Sequence, residues 1–107
     1  MPLSDPQIAT LRSLLDRLIP QDEEPSACEA GVDTFVLGLL EGDGRAMADE
    51  VSAGLGKLEA AAQARSQRAF AQLPAPEQDA LLDSFDPGFV WRMNELCAQG
   101  YYGKPAK

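Results

Sequence analysis

Side chains suited to acid–base or covalent chemistry are present in this 107-residue chain, but few stand at a spacing that chemistry requires. Histidine is absent. That removes a Ser-His-Asp triad, a Cys-His pair and a zinc site ligated by cysteine and histidine. Cys28 and Cys97 lie far apart, and there is no CxxC. Each falls in a predicted helix, where a thiol is most simply a small apolar core group. A disulfide between them is the alternative, and it implies an oxidising compartment. Asp22, Glu23 and Glu24 form an acidic loop, yet the alternating ligand spacing of a calcium loop is missing. Asp79 and Asp83 stand four apart on one predicted helix face, where like charges repel weakly. A general acid/base pair also needs a pocket and shifted pKa values, which the sequence does not display. Both clusters read as solvated acids. Gly54 and Gly56 flank Leu55, but a dinucleotide fingerprint needs a preceding strand and a third glycine, and Leu58-Glu59-Ala60-Ala61 is plain helix. The expectation is no catalytic residue, no cofactor-binding residue and no metal ligand in this chain.

The elements that would carry any site are helices. Ser4 and Gln7 form a capping box, and Ile8, Leu11, Leu15, Leu18 and Ile19 follow at spacings of three and four. Pro20 ends that helix. Ser26 with Glu29 reads as a second capping box, opening a helix whose Val32, Phe35, Val36, Leu39 and Leu40 share a face. Gly38 lies inside it, and the close approach of another helix would explain its helix-weakening presence. Gly42-Asp43-Gly44 closes this helix as a turn. A third helix is predicted over about Arg45–Arg68, striped by Met47, Val51, Leu55, Leu58 and Ala62, with Gly54 and Gly56 placed to bend or break it. Pro74-Ala75-Pro76 leads into a short helix with Leu81, Leu82 and Phe85 inward. Asp86 as N-cap and Pro87 at the first helical position open the last helix, whose core face is Phe89, Val90, Met93, Leu96 and Cys97. No stretch alternates apolar and polar residues as a strand does. The expected fold is all-α, an antiparallel bundle of about five helices in one domain over 1–107, with 100–107 a partly flexible tail.

Charge is distributed unevenly. Residues 1–50 hold 11 acids and 3 bases, whereas residues 51–107 hold 6 of each, so the whole formal charge of −8 sits in the first half. An acidic half repels phosphate backbones, which argues against nucleic acid. It suits a basic protein surface, although such charges also serve solubility alone. No apolar run reaches the roughly 20 residues of a membrane span. Met-Pro-Leu-Ser-Asp-Pro at the N-terminus shows neither an export signal nor paired arginines, so the expected location is cytoplasmic, or periplasmic if the chain leaves with a partner.

With chemistry excluded, contact residues become the candidates. Trp91 lies off the stripe of the last helix, and a tryptophan on a second face is either a binding anchor or a residue covered by a neighbouring helix. Arg92 beside it offers a carboxylate partner across an interface. Gly100 is suited to the left-handed position just past a helix end. Tyr101 would then pack back on Leu96, leaving Tyr102 available to a partner. Trp91, Arg92, Tyr101 and Tyr102 are the candidate partner-binding residues.

Four stretches in order carry a family resemblance: Leu11 to Pro20 with its acidic loop, Pro25 to Val32, Phe70 to Leu73 with Glu77 to Leu82, and Gly100 to Pro105. Each is degenerate alone, and their order and spacing make the match. The chain resembles the gluconate 2-dehydrogenase subunit 3 family. The resemblance implies a helical, non-catalytic small subunit that accompanies a large flavoprotein of the glucose–methanol–choline type, oxidising a sugar or alcohol with FAD held in the partner. It also implies a role in assembly, maturation or export of that partner. The chain departs from the family in lacking a twin-arginine signal and in stopping at Pro105-Ala106-Lys107. Two other classes stand against this reading. A free-standing helical binding module, as a homodimer, would present the same aromatic residues. A small enzyme would need the nucleophile, base or cofactor loop that the sequence lacks.

Overall fold

The computed structural model describes residues 3–19, 25–42 and 45–102. Five α-helices and two short 3-10 turns make up an all-α bundle, with no strand among the described residues. Helix α1 (Asp5–Leu18) is the hub and packs against every other α-helix. Its capping box forms as the sequence predicts: the Ser4 backbone N–H donates to Gln7 Oε1 at 3.1 Å, and Gln7 N donates to Ser4 Oγ at 3.4 Å. Gln7 then reaches outward, its Nε2 donating to Ser52 Oγ at 2.9 Å, so one residue caps α1 and ties it to the third helix. Leu11, Leu14 and Leu15 are fully buried, while Ile8, Leu18 and Ile19 sit at the margin of the core. The predicted stripe is therefore deepest at its centre, where neighbours cover it from several sides.

The segment after α1 departs from the expected helix. The Ser26–Glu29 box does form, with Ser26 N donating to Glu29 Oε1 at 2.9 Å and Glu29 N to Ser26 Oγ at 3.3 Å. It closes a turn rather than a helix. Residues 27–31 curl until Gly31, which adopts φ 86°, and helix α2 (Val32–Glu41) begins afresh after it. Only a residue without a Cβ reverses the backbone there cheaply. Cys28 thus lies in a turn, with its amide donating to Asp16 Oδ1 at 2.9 Å. Gly38 is a further correction: a Cβ there would meet nothing within 4 Å, so among the described residues no helix approaches it closely. Asp43, Gly44 and the acidic loop Asp22–Glu24 lie outside the described residues.

A 3-10 turn at Arg45–Met47 leads into α3 (Ala48–Ser66), which is continuous through Gly54 and Gly56. The helix does not break there, and Gly54 serves packing: the Phe89 ring occupies the space a Cβ would take. Gln67 ends α3 in the left-handed conformation at φ 55°. The second 3-10 turn, Phe70–Gln72, buries Phe70 completely. Glu59 of α3 fastens this turn by accepting from Phe70 N at 3.2 Å, and the same oxygen lies 3.1 Å from Thr10 Oγ1 of α1. Buried Gln78 donates to the Phe70 carbonyl at 2.7 Å. It belongs to α4 (Ala75–Asp83), whose Leu81 and Leu82 face the core as predicted.

Arg17 of α1 grips Asp79 of α4 through two hydrogen bonds of 2.8 Å, which occupies one of the two carboxylates spaced four apart. That fork holds the Asp79 carboxyl below its ordinary pKa. A depressed carboxylate contributes stability above its unfolded-state pKa and loses it as pH falls through the folded value. Asp79 is half exposed, so the pair is worth about 1 kcal/mol or less. Asp79→Asn is expected to cost this amount near neutral pH and nothing once pH falls well below about 4. Urea titrations of both proteins across that range check it, and a cost that persists in acid would contradict the pairing.

Helix α5 (Pro87–Tyr102) opens as the sequence predicts, with Gly88 N donating to Asp86 Oδ1 at 3.0 Å. It does not stop at Gly100. The helix runs through Tyr102, and Gly100 is buried against α2, where a Cβ would sit 2.9 Å from Phe35 Cδ2 and 3.1 Å from Val32 Cγ1. Gly100 is therefore a close-packing residue rather than a left-handed cap. Phe35, expected on the core face of α2, lies over this glycine and stays 37 % exposed.

Candidate partner-binding surface

The register of α5 separates two faces. Phe89, Met93, Leu96, Cys97 and Gly100 recur toward the core, while Trp91 occupies the opposite side. Trp91 is 61 % exposed, the largest exposure of any bulky apolar residue described. Among the described residues no helix covers it. Because α5 is unbroken at Gly100, positions 91, 95, 98 and 102 fall on this same outer face, with Tyr102 about 16 Å along the axis from Trp91. The continuous helix thus places backbone positions 91 and 102 on one face, which a helix ending at Gly100 would not.

Arg92 and Tyr101 point into the molecule's own contacts. Arg92 Nε stands 3.6 Å from Glu50 Oε2, and its Nη1 stands 3.8 Å from Met47 Sδ, which ties α5 to the start of α3. Tyr101 is half-buried, and its hydroxyl donates to the Pro25 carbonyl at 2.7 Å. That contact ties the end of α5 to the segment before α2. The sequence candidates thus divide: Trp91 faces outward, Arg92 and Tyr101 fasten α5 to other elements, and the side chain of Tyr102 lies outside what the structure describes.

Two recesses border the first turns of α5, one at Gly88 and Phe89 and the other at Val90 and Asn94, and Trp91 itself lines neither. One, of about 360 Å³, runs between α3 and the corner joining α4 to α5. Gly54, Ala53, Phe85 and Phe89 make it apolar, and Glu50, Lys57 and Asp86 place charges along it. Phe85 and Phe89 meet edge to face, with ring centroids 5.7 Å apart. The other recess, of about 510 Å³, is more open and lies among Arg17, Asp79, Asp83, Val90 and Asn94. Neither the helix-breaking role nor the dinucleotide fingerprint weighed for Gly54 describes this packing role. Its signal was position: it falls between Val51 and Leu58 on the buried stripe of α3, where a glycine makes room for a facing aromatic ring.

Neither thiol is poised for reaction. Burial chiefly, and then the Asp16 carboxylate, push Cys28 up to about 12. Burial, with a smaller contribution from Asp16, pushes Cys97 up to about 11. Both are free, so the disulfide weighed from the sequence does not form. Since the thiolate is the nucleophile, iodoacetamide at pH 8 is expected to alkylate the native protein more than about 100-fold slower than the urea-unfolded chain. Mass spectrometry of timed samples reads this, and rapid native labelling of either cysteine would refute the assigned environments. Among the described residues no group of three His, Cys, Asp or Glu is placed to hold a metal. No described helix is long and apolar enough to cross a membrane. Gly54 and Gly56 lie inside a continuous helix, so they form no phosphate-cradling loop.

Comparison with known proteins adds one match. The model of the family described as gluconate 2-dehydrogenase subunit 3 matches residues 5–107, essentially the whole chain. Neither a curated protein nor a solved structure matches it.

Proposed function

Because this chain belongs to the gluconate 2-dehydrogenase subunit 3 family, we propose that it is a non-catalytic small subunit. It binds a large FAD-dependent sugar or alcohol dehydrogenase and supports that protein's assembly or maturation. The observation that carries this reading is the family match over nearly the full length. The exposed tryptophan on a helix face free of other packing supports it, since aromatic anchors of this kind dominate interface energies. The flavin and the redox chemistry belong to the large subunit. This chain contributes a helical surface, and its cysteines and paired carboxylates serve its own structure.

Co-expression with a large flavoprotein dehydrogenase of the glucose–methanol–choline type from the same genome tests the proposal. A stable complex in size-exclusion chromatography is expected, with flavin absorbance co-eluting and no turnover of sugars or alcohols by the small subunit alone. Absence of a complex, together with unchanged FAD content of the large subunit made without its companion, would overturn the reading.

A further inference from the structure

We propose that the outer face of α5 around Trp91, with the apolar groove beside it, receives a cationic, partly apolar segment of the large dehydrogenase subunit. This rests on the accessory-subunit reading above and names the surface and chemistry through which it works. Three observations converge on it. First, Trp91 is 61 % exposed, and helical side chains lean toward the preceding turn, here toward Gly88, which lines the groove of about 360 Å³. An apolar side chain entering that groove meets Phe85 and Phe89.

Second, three exposed acids stand on α5 and at the α4–α5 corner next to it. Asp86 lines the groove on one side, and Asp83 lines the opposite recess with Val90 and Asn94. Glu95 stands one turn beyond Trp91 on the same face of α5. None of the three has an ion pair among the described residues. Third, the nearest cation on α5, Arg92, is drawn aside to Glu50. Of the cations that line the two recesses, Arg17 is taken up by Asp79 and Lys57 stands on the α3 side of the groove, so Asp83, Asp86 and Glu95 outnumber the one unpaired cation. An arginine or lysine laid over the indole face gains both the attraction of the ring quadrupole and the field of the acids.

The same charges select against other occupants. A second copy would bring Asp83, Asp86 and Glu95 against their equivalents, which like-charge repulsion disfavours. An anionic segment meets the same repulsion.

The purified wild-type complex with the flavoprotein subunit provides the assay. Affinity is measured at two salt concentrations for wild type, Trp91→Ala, the combined Asp83→Asn, Asp86→Asn and Glu95→Gln variant, and Arg65→Gln as a control on exposed α3 surface. Asn at position 86 keeps a good helix cap. All these positions are exposed, so circular dichroism and the urea midpoint are expected to match wild type. Trp91→Ala is expected to weaken binding by about 30-fold or more. The neutralised variant is expected to bind more weakly and with a flatter salt dependence, and Arg65→Gln to bind as wild type. If wild type forms the complex and neither set of changes at the Trp91 face weakens it, the docking face is wrong while the accessory role stands. If wild type forms no complex, both fall. If the isolated chain instead dimerises through Trp91, so that Trp91→Ala makes it monomeric, the occupant is a second copy and the proposal is overturned.

Discussion

Truncating Phe70 to alanine is expected to lower the unfolding free energy by about 3–5 kcal/mol, a large share of the roughly 5–15 kcal/mol that holds a small domain together. Phe70 is the bulkiest of the fully buried side chains and sits in the 3-10 turn that packs on both α1 and α3. Its backbone is held independently of its ring, by Glu59 at the amide and Gln78 at the carbonyl. Those anchors remain after truncation and keep the turn from collapsing into the space left behind. The cavity term therefore adds to the lost burial, which places the expected cost high in the range for large-to-small changes. Urea unfolding monitored by circular dichroism measures it. A cost below about 1 kcal/mol would mean that the ring is not packed as described.

Gly54→Ala and Gly56→Ala are expected to move stability in opposite directions. Both glycines lie inside α3, so each substitution gains about 1 kcal/mol of helix propensity. At position 56 nothing lies within 4 Å of the new methyl group, and the gain is realised. At position 54 the methyl group runs into the Phe89 ring. Overpacking of this kind costs about 1–3 kcal/mol, which outweighs the propensity gain. Because propensity cancels between the two variants, their difference isolates the clash and should equal that cost of about 1–3 kcal/mol. Equal midpoints in urea would show that Phe89 does not seat against α3. The change at 54 also presses on the floor of the groove beside Trp91, so it links core packing to the proposed docking surface.

Both effects concern residues whose importance local patterns express unevenly. Phe70 is apolar and precedes a Pro-rich loop, so its burial is readable, but its place in a 3-10 turn pinned by Glu59 is not. Glu59 looks like one more helix-surface acid until the fold brings Thr10 and the Phe70 amide to it. Asp16, which receives the Cys28 amide, and Arg17, which meets Asp79 from 62 positions away, are equally plain in sequence.

Local chemistry determined the helices of this protein. The Ser4–Gln7 box, the Asp86-Pro87 start and the apolar spacings of α1, α3 and α5 act within a few residues, so the chain declares them without reference to the fold. The order of short stretches likewise placed it in its family, and the lack of histidine removed whole classes of chemistry. Tertiary structure decided what each glycine does. Gly31 turns the backbone, Gly54 and Gly100 admit Phe89 and Phe35, and Gly38 faces open space. A missing side chain carries no record of what fills its place, because the occupant comes from a distant element. The same reason governs the candidate surface: Trp91 is outward and Arg92 is engaged because of where α3 and α4 lie, and one helix cannot specify what packs beside it.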